Sequence, residues 1–345
     1  MPIQSNDEDP GLEATTPLSF TRRDFGQIVR RIWLLWGFHN LSLLAGGVAF
    51  FGFLAITPLI AAIVLIYGLV ADVATVQLQV QTLTRVIPAD AASVLEGQLM
   101  QVVTTSSTVT GVGLVIALAL ALYGAMYAAN GLIAALNVIN SELETRGLIT
   151  LTRRALGLTF AAVLIGLTGL ISGGLFAWLT SHSSPLFAQS IDFLLQGAAW
   201  IAALALGSGG FALIMRYGPD RRAAKWRWLT PGAIIATLLW MAASFGLSLY
   251  VVYVSNYSAT YGSLSAVVVF LIWLYLSAYG VLLGALVNAE LERQTAADST
   301  EGQDRPIGSR GAVLADTVAT VTMTESYVQK RKRKHEERLA RAALR

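Results

Sequence analysis

The stretch Tyr261–Arg293, YGSLSAVVVFLIWLYLSAYGVLLGALVNAELER, decides the fold. Its 24 residues from Leu264 to Val287 hold no charge. At about 1.5 Å per residue such a helix reaches about 36 Å. That exceeds the hydrocarbon core of about 30 Å, so the segment crosses a bilayer with some tilt. Trp273, Ser277, Gly280, Gly284 and Asn288 follow at steps of four, three, four and four, and therefore share one helical face. The opposite face is Val, Leu, Ile and Phe. A lipid-facing helix with one small and polar stripe is built to pack against other helices.

The rest of the chain agrees. Of 345 residues 55% are hydrophobic and only 13% charged, against about 25% charge in soluble domains. This is the composition of an all-α integral membrane protein. The absence of cysteine excludes disulfides and thiolate metal sites. Residues 1–19 are polar and acidic, with no apolar core of a cleavable signal, and read as a disordered tail. Residues 20–42 follow as an amphipathic interfacial helix. Arg22, Arg23, Arg30 and Arg31 alternate there with Phe25, Ile28, Val29, Ile32, Trp33 and Trp36 at helical spacing.

Charge-free stretches place six spans, at about 43–70, 111–136, 155–180, 193–215, 231–254 and 264–289. The last two share 62 residues without a formal charge, Trp228 to Ala289, divided by the turn-like Ser255-Asn256-Tyr257-Ser258. The long connection 72–110 shows helical periodicity, with Val94, Leu95, Leu99, Val102 and Val103 on one face. It reads as one or two short amphipathic helices on the outer side. Of the 24 basic residues all but Arg85 fall on one side of this arrangement, so both termini are expected to be cytoplasmic. Residues 291–345 read as a cytoplasmic tail, flexible at first and then a basic helix with five consecutive cations, Lys330 to Lys334.

The inventory for catalysis is thin. His39, His182 and His335 fall in three different regions, and no metal-ligand spacing, nucleophile elbow or phosphate loop occurs. No metal, cofactor or catalytic residue is expected. Gly207-Ser208-Gly209-Gly210 lies inside an apolar span, where close helix packing is its reading. No acidic residue sits at mid-depth in a span; Glu142, Glu144, Asp220, Glu290 and Glu292 gather at the cytoplasmic ends. Glu290 lies where an Arg of the loop Arg216, Arg221, Arg222, Lys225 and Arg227 could pair with it, as a structural clamp or as a headgroup or gate contact. Tyr123, Tyr127, Asn130, Ala134, Asn137 and Ser141 form one continuous face of the second span. That face either hydrogen-bonds to other helices or lines a path for a substrate headgroup, and the stripe on the last span is its proposed partner. In the first span Thr57-Pro58 interrupts the hydrogen-bond ladder, as a static bend or a hinge.

These segments resemble the YihY/BrkB family of bacterial inner-membrane proteins. LLAGGVAFFGFLAITPL in the first span resembles its alanine-rich, Pro-ending opening motif. LIAALNVINSELETRG resembles the Asn-containing end of its second span, and RYGPDRRAAKWRWLTPGAIIATLLW the basic loop entering its fifth. The stretch quoted first resembles its closing signature. The match covers about residues 25–293. It departs from the family where His39-Asn40 stands in place of the acidic residues often found before the first span. The resemblance implies a six-helix inner-membrane protein of poorly defined activity, long labelled a ribonuclease and associated with serum resistance and envelope lipid export. A ribonuclease needs an acid and base, or metal ligands, converging on a phosphate, and the residues here supply no such cluster.

The expected function is therefore transport-type handling of an amphiphilic or lipid substrate of the envelope, with anionic headgroups met by the basic loops. The alternative is a membrane scaffold acting through a protein partner of the basic tail 330–345. Like-charge runs are often no more than solvated tails, and no specific nucleic acid partner is expected.

Overall fold

The computed structural model describes residues 11–68, 111–181, 188–253 and 264–334, with 322, 327, 331 and 332 excepted. The expected outer helices of 72–110 lie outside the described residues, as does most of the basic run 330–345. The architecture is all helical, and among the described residues there is no strand beyond one isolated bridge between Ala224 and Thr300.

The helices are α1 (Arg22–Phe38), α2 (Leu41–Gly68), α3 (Gly111–Asn140), α4 (Leu148–Ser181), α5 (Ala188–Tyr217), α6 (Trp226–Tyr253), α7 (Ser265–Glu292) and the short α8 (Val313–Asp316). Helices α2 to α7 each contain 28 to 34 residues and overlap the six stretches expected as spans in sequence. By length and composition, α5, α6 and α7 qualify as membrane-crossing among the described residues, and the bent pair α1–α2 makes a fourth. Each long helix packs on the next in sequence, and α7 closes the ring onto α2 and also touches α3.

Local chemistry explains the ends. Thr21 and Asp24 form a reciprocal cap at the start of α1, the Thr21 N–H donating to Asp24 Oδ2 at 2.6 Å. Asn40, at φ 50°, holds the left-handed turn between α1 and α2, which meet at 63°; Asn tolerates that region better than most residues. Ser141 does the same after α3, at φ 58°. Helix α1 has two characters. Ile28 and Leu35 are buried, whereas Phe25, Val29 and Trp33 are exposed, the division expected of a helix lying at an apolar boundary. Helix α2 runs unbroken through Thr57 and Pro58; their side chains lie outside the described residues.

Helix α7 is the centre of the bundle, with buried residues along its length from Val269 to Glu292. Its small-residue stripe faces α6. A Cβ placed on Gly284 would strike the carbonyl oxygen of Gly232, and one on Gly232 would strike that of Gly284. A Cβ on Gly280 would meet the Leu239 Cβ at 3.3 Å. The two backbones approach this closely only because both positions lack side chains. Around the ring, Gly207 of α5 packs on Thr237 and Gly210 on Ile165, the close packing expected for that glycine run.

Two expectations are corrected here. Residues 294–316 are not a flexible tail. Thr295, Asp298, Ser299, Thr300, Arg310 and Leu314 are all buried, and the segment is pinned by backbone bonds from Lys225 N–H to Ser299 O (2.8 Å) and from Arg222 N–H to Gly311 O (2.9 Å). Residues 11–19 are not disordered either. Ala14 and Pro17 are buried, and the Ala296 N–H donates to Leu12 O at 2.9 Å. Polar side chains of the strap bond backbone groups of the two segments themselves, Thr295 donating to Leu12 O and Ala14 O and Arg310 to Ala296 O and Ala315 O, so the polar composition is not a mark of disorder.

Candidate functional site: the charged end of the bundle

The ends of α3, α5 and α7, and the beginnings of α1, α4 and α6, meet in one polar layer covered by the 294–316 strap. Arg31 of α1 is wholly buried. Its Nε donates to Glu290 Oε2 at 2.7 Å, one Nη to Gln294 Oε1 at 2.5 Å and the other to Glu290 O at 2.8 Å. Arg293 reaches the same carboxylate at 3.3 Å and donates to Ser141 Oγ at 2.8 Å. Glu290 therefore pairs with Arg31, not with the 216–227 loop as expected. The loop's Arg221 pairs instead with Glu292, two residues further on, and also donates to Asn140 Oδ1 at 3.1 Å. Two residues along a helix turn the second carboxylate by about 200°, so the two point to different sides and each is claimed by the guanidinium on its own side.

A second network ties the α3–α4 connection to the α5–α6 connection. Asn137 donates to Glu144 Oε2 at 2.8 Å and accepts from the Asp220 N–H at 2.7 Å. Arg146 pairs with Glu144 at 2.6 Å and lies 3.5 Å from Asp220. The Thr145 N–H and hydroxyl both donate to Asp220 Oδ2, each at 2.7 Å. The bond from Arg146 is the chief reason the Glu144 carboxyl is held below its usual range. Burial acts to raise Asp220, but its bonds from Thr145 and the nearby Arg146 outweigh that and lower it. Glu142 goes the other way: burial raises it, against the bond from the Val313 N–H.

His39 stands at the turn between α1 and α2. Burial, and then the positive Arg293, lowers its pKa to about 4, with Glu290 opposing. Its Nε2 is shielded and meets no partner among the described residues.

The remaining loop cations separate. Arg216, buried, pairs with the exposed Glu301 at 2.7 Å and lies over the Trp226 ring at 4.6 Å. Lys225 bridges to Asp304 and to the Asp298 carbonyl, each at 2.8 Å. Arg222 lies beside Gly302, and Arg227 is exposed. Between α3, α5, α6 and α7 lies a cleft lined in part by Asn140, Arg216, Arg221, Asn288 and Glu292. It encloses about 310 Å³, open solvent included, and its core has room for about one water molecule.

The two polar stripes do not meet as one junction. On α7, Trp273 donates to Ser244 Oγ of α6 at 2.9 Å, and Ser277 donates back to Trp273 O at 2.7 Å. Asn288 accepts from the Gly232 N–H at 2.7 Å and donates to Leu229 O at 2.9 Å. It thus binds backbone groups on either side of Pro231 near the start of α6. The partner stripe is Gly232-Ala236 on α6, a small-residue pair four apart that was available as a signal. On α3, by contrast, Tyr123 and Tyr127 are 57% and 46% exposed and hydrogen-bond to each other at 3.0 Å. The shielded Asn130 Oδ1 meets no donor among the described residues, and Asn137 belongs to the loop network.

The family described as Virulence factor BrkB matches residues 33–307. Among curated proteins, the ribonuclease-like protein YfkH of Bacillus subtilis is 31% identical over 180 residues, covering 50% of this chain and 64% of that one. The UPF0761 membrane protein IL2447 of Idiomarina loihiensis is 30% identical over 57% of this chain and 66% of its own. A UPF0761 membrane protein of Tolumonas auensis is 27% identical over 76% and 83% respectively. The chain spans just under two thirds of the length of the first two relatives. No solved structure matches it. The breadth of the family match and the apolar helices agree: the chain belongs to the BrkB virulence-factor family and is a membrane protein.

Proposed function

We propose that the protein is a six-span inner-membrane protein with both termini cytoplasmic, which passes or exposes a lipid-like amphiphile of the envelope and is not an enzyme. The six long helices and the gathering of basic connections at one end support this topology. The observation that carries the functional reading is the α3 track. Tyr123, Tyr127 and Asn130 commit no polar atom to another helix among the described residues, although polar groups in a bilayer are costly unless partnered. The track leads along α3 toward the basic layer at Asn137. A headgroup moving along it would exchange hydrogen bonds with the two hydroxyls and the amide, while its chains stay in lipid. The ribonuclease-like name belongs to the Bacillus relative and is not extended to this chain.

The test is lipid redistribution in proteoliposomes loaded with acyl-labelled phosphatidylglycerol and quenched from outside. The expected result is quenching beyond the outer-leaflet fraction, slowed in a Tyr123→Leu/Asn130→Leu variant. Redistribution equal to protein-free vesicles, with phosphatidylglycerol, phosphatidylethanolamine and cardiolipin alike, overturns the reading.

A second reading, a scaffold working through a partner of the basic tail, is favoured by the exposure of Lys330, Arg333 and Lys334. Truncation after Asp316 separates the two, because it removes the basic run and leaves the packed strap intact. A scaffold loses its cellular phenotype in that variant, and a transporter keeps it.

A further inference from the structure

We infer that Arg216 is a receptor for a phosphate-bearing anion, and that Glu301 of the strap occupies it as a built-in competitor. The inference rests on the proposed lipid-handling function and gives it a headgroup site.

Arg216 differs from the other buried arginines of this layer. Arg31 has every nitrogen bonded, and Arg221 meets both oxygens of Glu292. Arg216 gives one terminal nitrogen to Ala224 O and the other to a single oxygen of Glu301 at 2.7 Å. Its Nε is shielded and meets no partner among the described residues. Nε and the terminal nitrogen facing Glu301 form one edge of the guanidinium, the fork that takes two oxygens of a carboxylate or phosphate in parallel. Half of that fork is unused. The plane is held by the Trp226 ring at 4.6 Å and the Tyr217 ring at 5.4 Å, so the edge is fixed before any ligand arrives.

The occupant is easy to remove. The Arg216 side chain is 3% exposed, but that of Glu301 is 63% exposed. The Glu301 backbone is held independently, its N–H donating to Ala223 O at 2.8 Å. Its carboxylate can therefore swing into water while the strap stays in place. Next to it Gly302, at φ +88°, lets the Arg222 guanidinium approach to 2.7 Å of where a Cβ would lie. The Arg222 Nη1 is again shielded and unpartnered. Arg216 thus meets the displaceable carboxylate with half its fork unused, and a second guanidinium with an unmatched nitrogen, Arg222, lies at the next strap residue, Gly302. A phosphate, with up to two charges and three free oxygens, answers that arrangement better than Glu301 does. Because the Glu301 side chain is 63% exposed, its displacement leaves the Arg216 edge facing water, from which a phosphate headgroup can approach.

The test is calorimetric binding to the full chain in neutral detergent, with inorganic phosphate in one arm and dioctanoyl phosphatidylglycerol or phosphatidylcholine in the others. Glu301→Gln is expected to bind the phosphate-bearing probe about tenfold more tightly than the wild type, since the competing charge-assisted bond is gone. Arg216→Lys is expected to bind more weakly, because a point charge cannot supply the fork. Binding in the phosphatidylglycerol arm alone assigns the site to a headgroup, and binding in the phosphate arm assigns it to a free anion; either supports the site. Unchanged affinity in Glu301→Gln overturns it, and that exposed substitution leaves the fold intact even if the Arg216 variant is unstable. Arg216-dependent binding without lipid redistribution would retain the site and remove the transport reading. Redistribution with Arg216-independent binding would do the reverse.

Discussion

At the residue scale, the layer at the charged end is governed by how buried ions are matched. Arg31 and Glu290 are 0% and 1% exposed, and removing one partner of such a pair costs about 3–5 kcal/mol, since the other charge stays buried alone. Arg31→Met is therefore expected to lower the unfolding temperature in detergent sharply. Arg31→Met/Glu290→Leu should recover much of the loss, and differential scanning fluorimetry of the two checks it. His39 supplies a pH dependence of determinate sign. Its folded pKa, about 4, lies below the ordinary value of about 6.5. Between those values the unfolded chain binds the proton and the folded one resists it. Stability is thus full above about pH 6.5 and falls as the pH drops toward 4. Glu142, raised by burial, acts in the opposite sense, its contribution growing as the pH falls through its folded pKa. Thermal scans from pH 7.5 to 5 should show the loss in the wild type and a flatter profile in His39→Gln.

At the element scale, the α6–α7 contact is the tightest test of the packing. Gly284→Ala places a methyl against the Gly232 carbonyl and 2.9 Å from the Ala236 Cβ, and overpacking of this kind costs about 1–3 kcal/mol. Gly157→Ala in α4, where a Cβ meets nothing within 4 Å, should be neutral or stabilising by up to about 1 kcal/mol through helix propensity. Unfolding of the two proteins side by side checks the contrast. The helices and the stripe on α7 were legible in the sequence because a span is declared by length and a face by periodicity. The stripe's partner was not, since periodicity says which side of a helix is small and nothing about which helix lies against it. Nor were the pairs Arg31–Glu290 and Arg221–Glu292. They join residues 259 and 71 positions apart, and every cation at that end was an equal candidate on charge alone. The strap misled for a related reason. Asp298, Thr300 and Arg310 look solvated by composition, but their side chains bond within the strap, Asp298 accepting from the Thr300 N–H and hydroxyl and Arg310 donating to Ala315 O, and so fold it on itself.

At the scale of the whole molecule, the six long helices form a closed ring with each neighbour next in sequence. Such a ring alternates direction at every step, so the described connections α3–α4 and α5–α6 fall together at the charged end, as their shared hydrogen bonds require. The proposed six-span topology assigns the sequence stretches 182–187 and 254–263 to the opposite side of the membrane. In the proposed topology the charged end, which holds the basic connections, faces the cytoplasm. The chain has no cysteine, so single introduced thiols report without background. Ser183→Cys and Ser258→Cys should react with a membrane-impermeant maleimide in intact spheroplasts. Ser309→Cys, exposed on the strap, should react only after permeabilisation. A reversed pattern would invert the protein in the membrane and place the Arg216 edge on the outer side. A mixed pattern, one of Ser183 and Ser258 reacting and the other protected, would remove a span and break the alternation on which the ring depends.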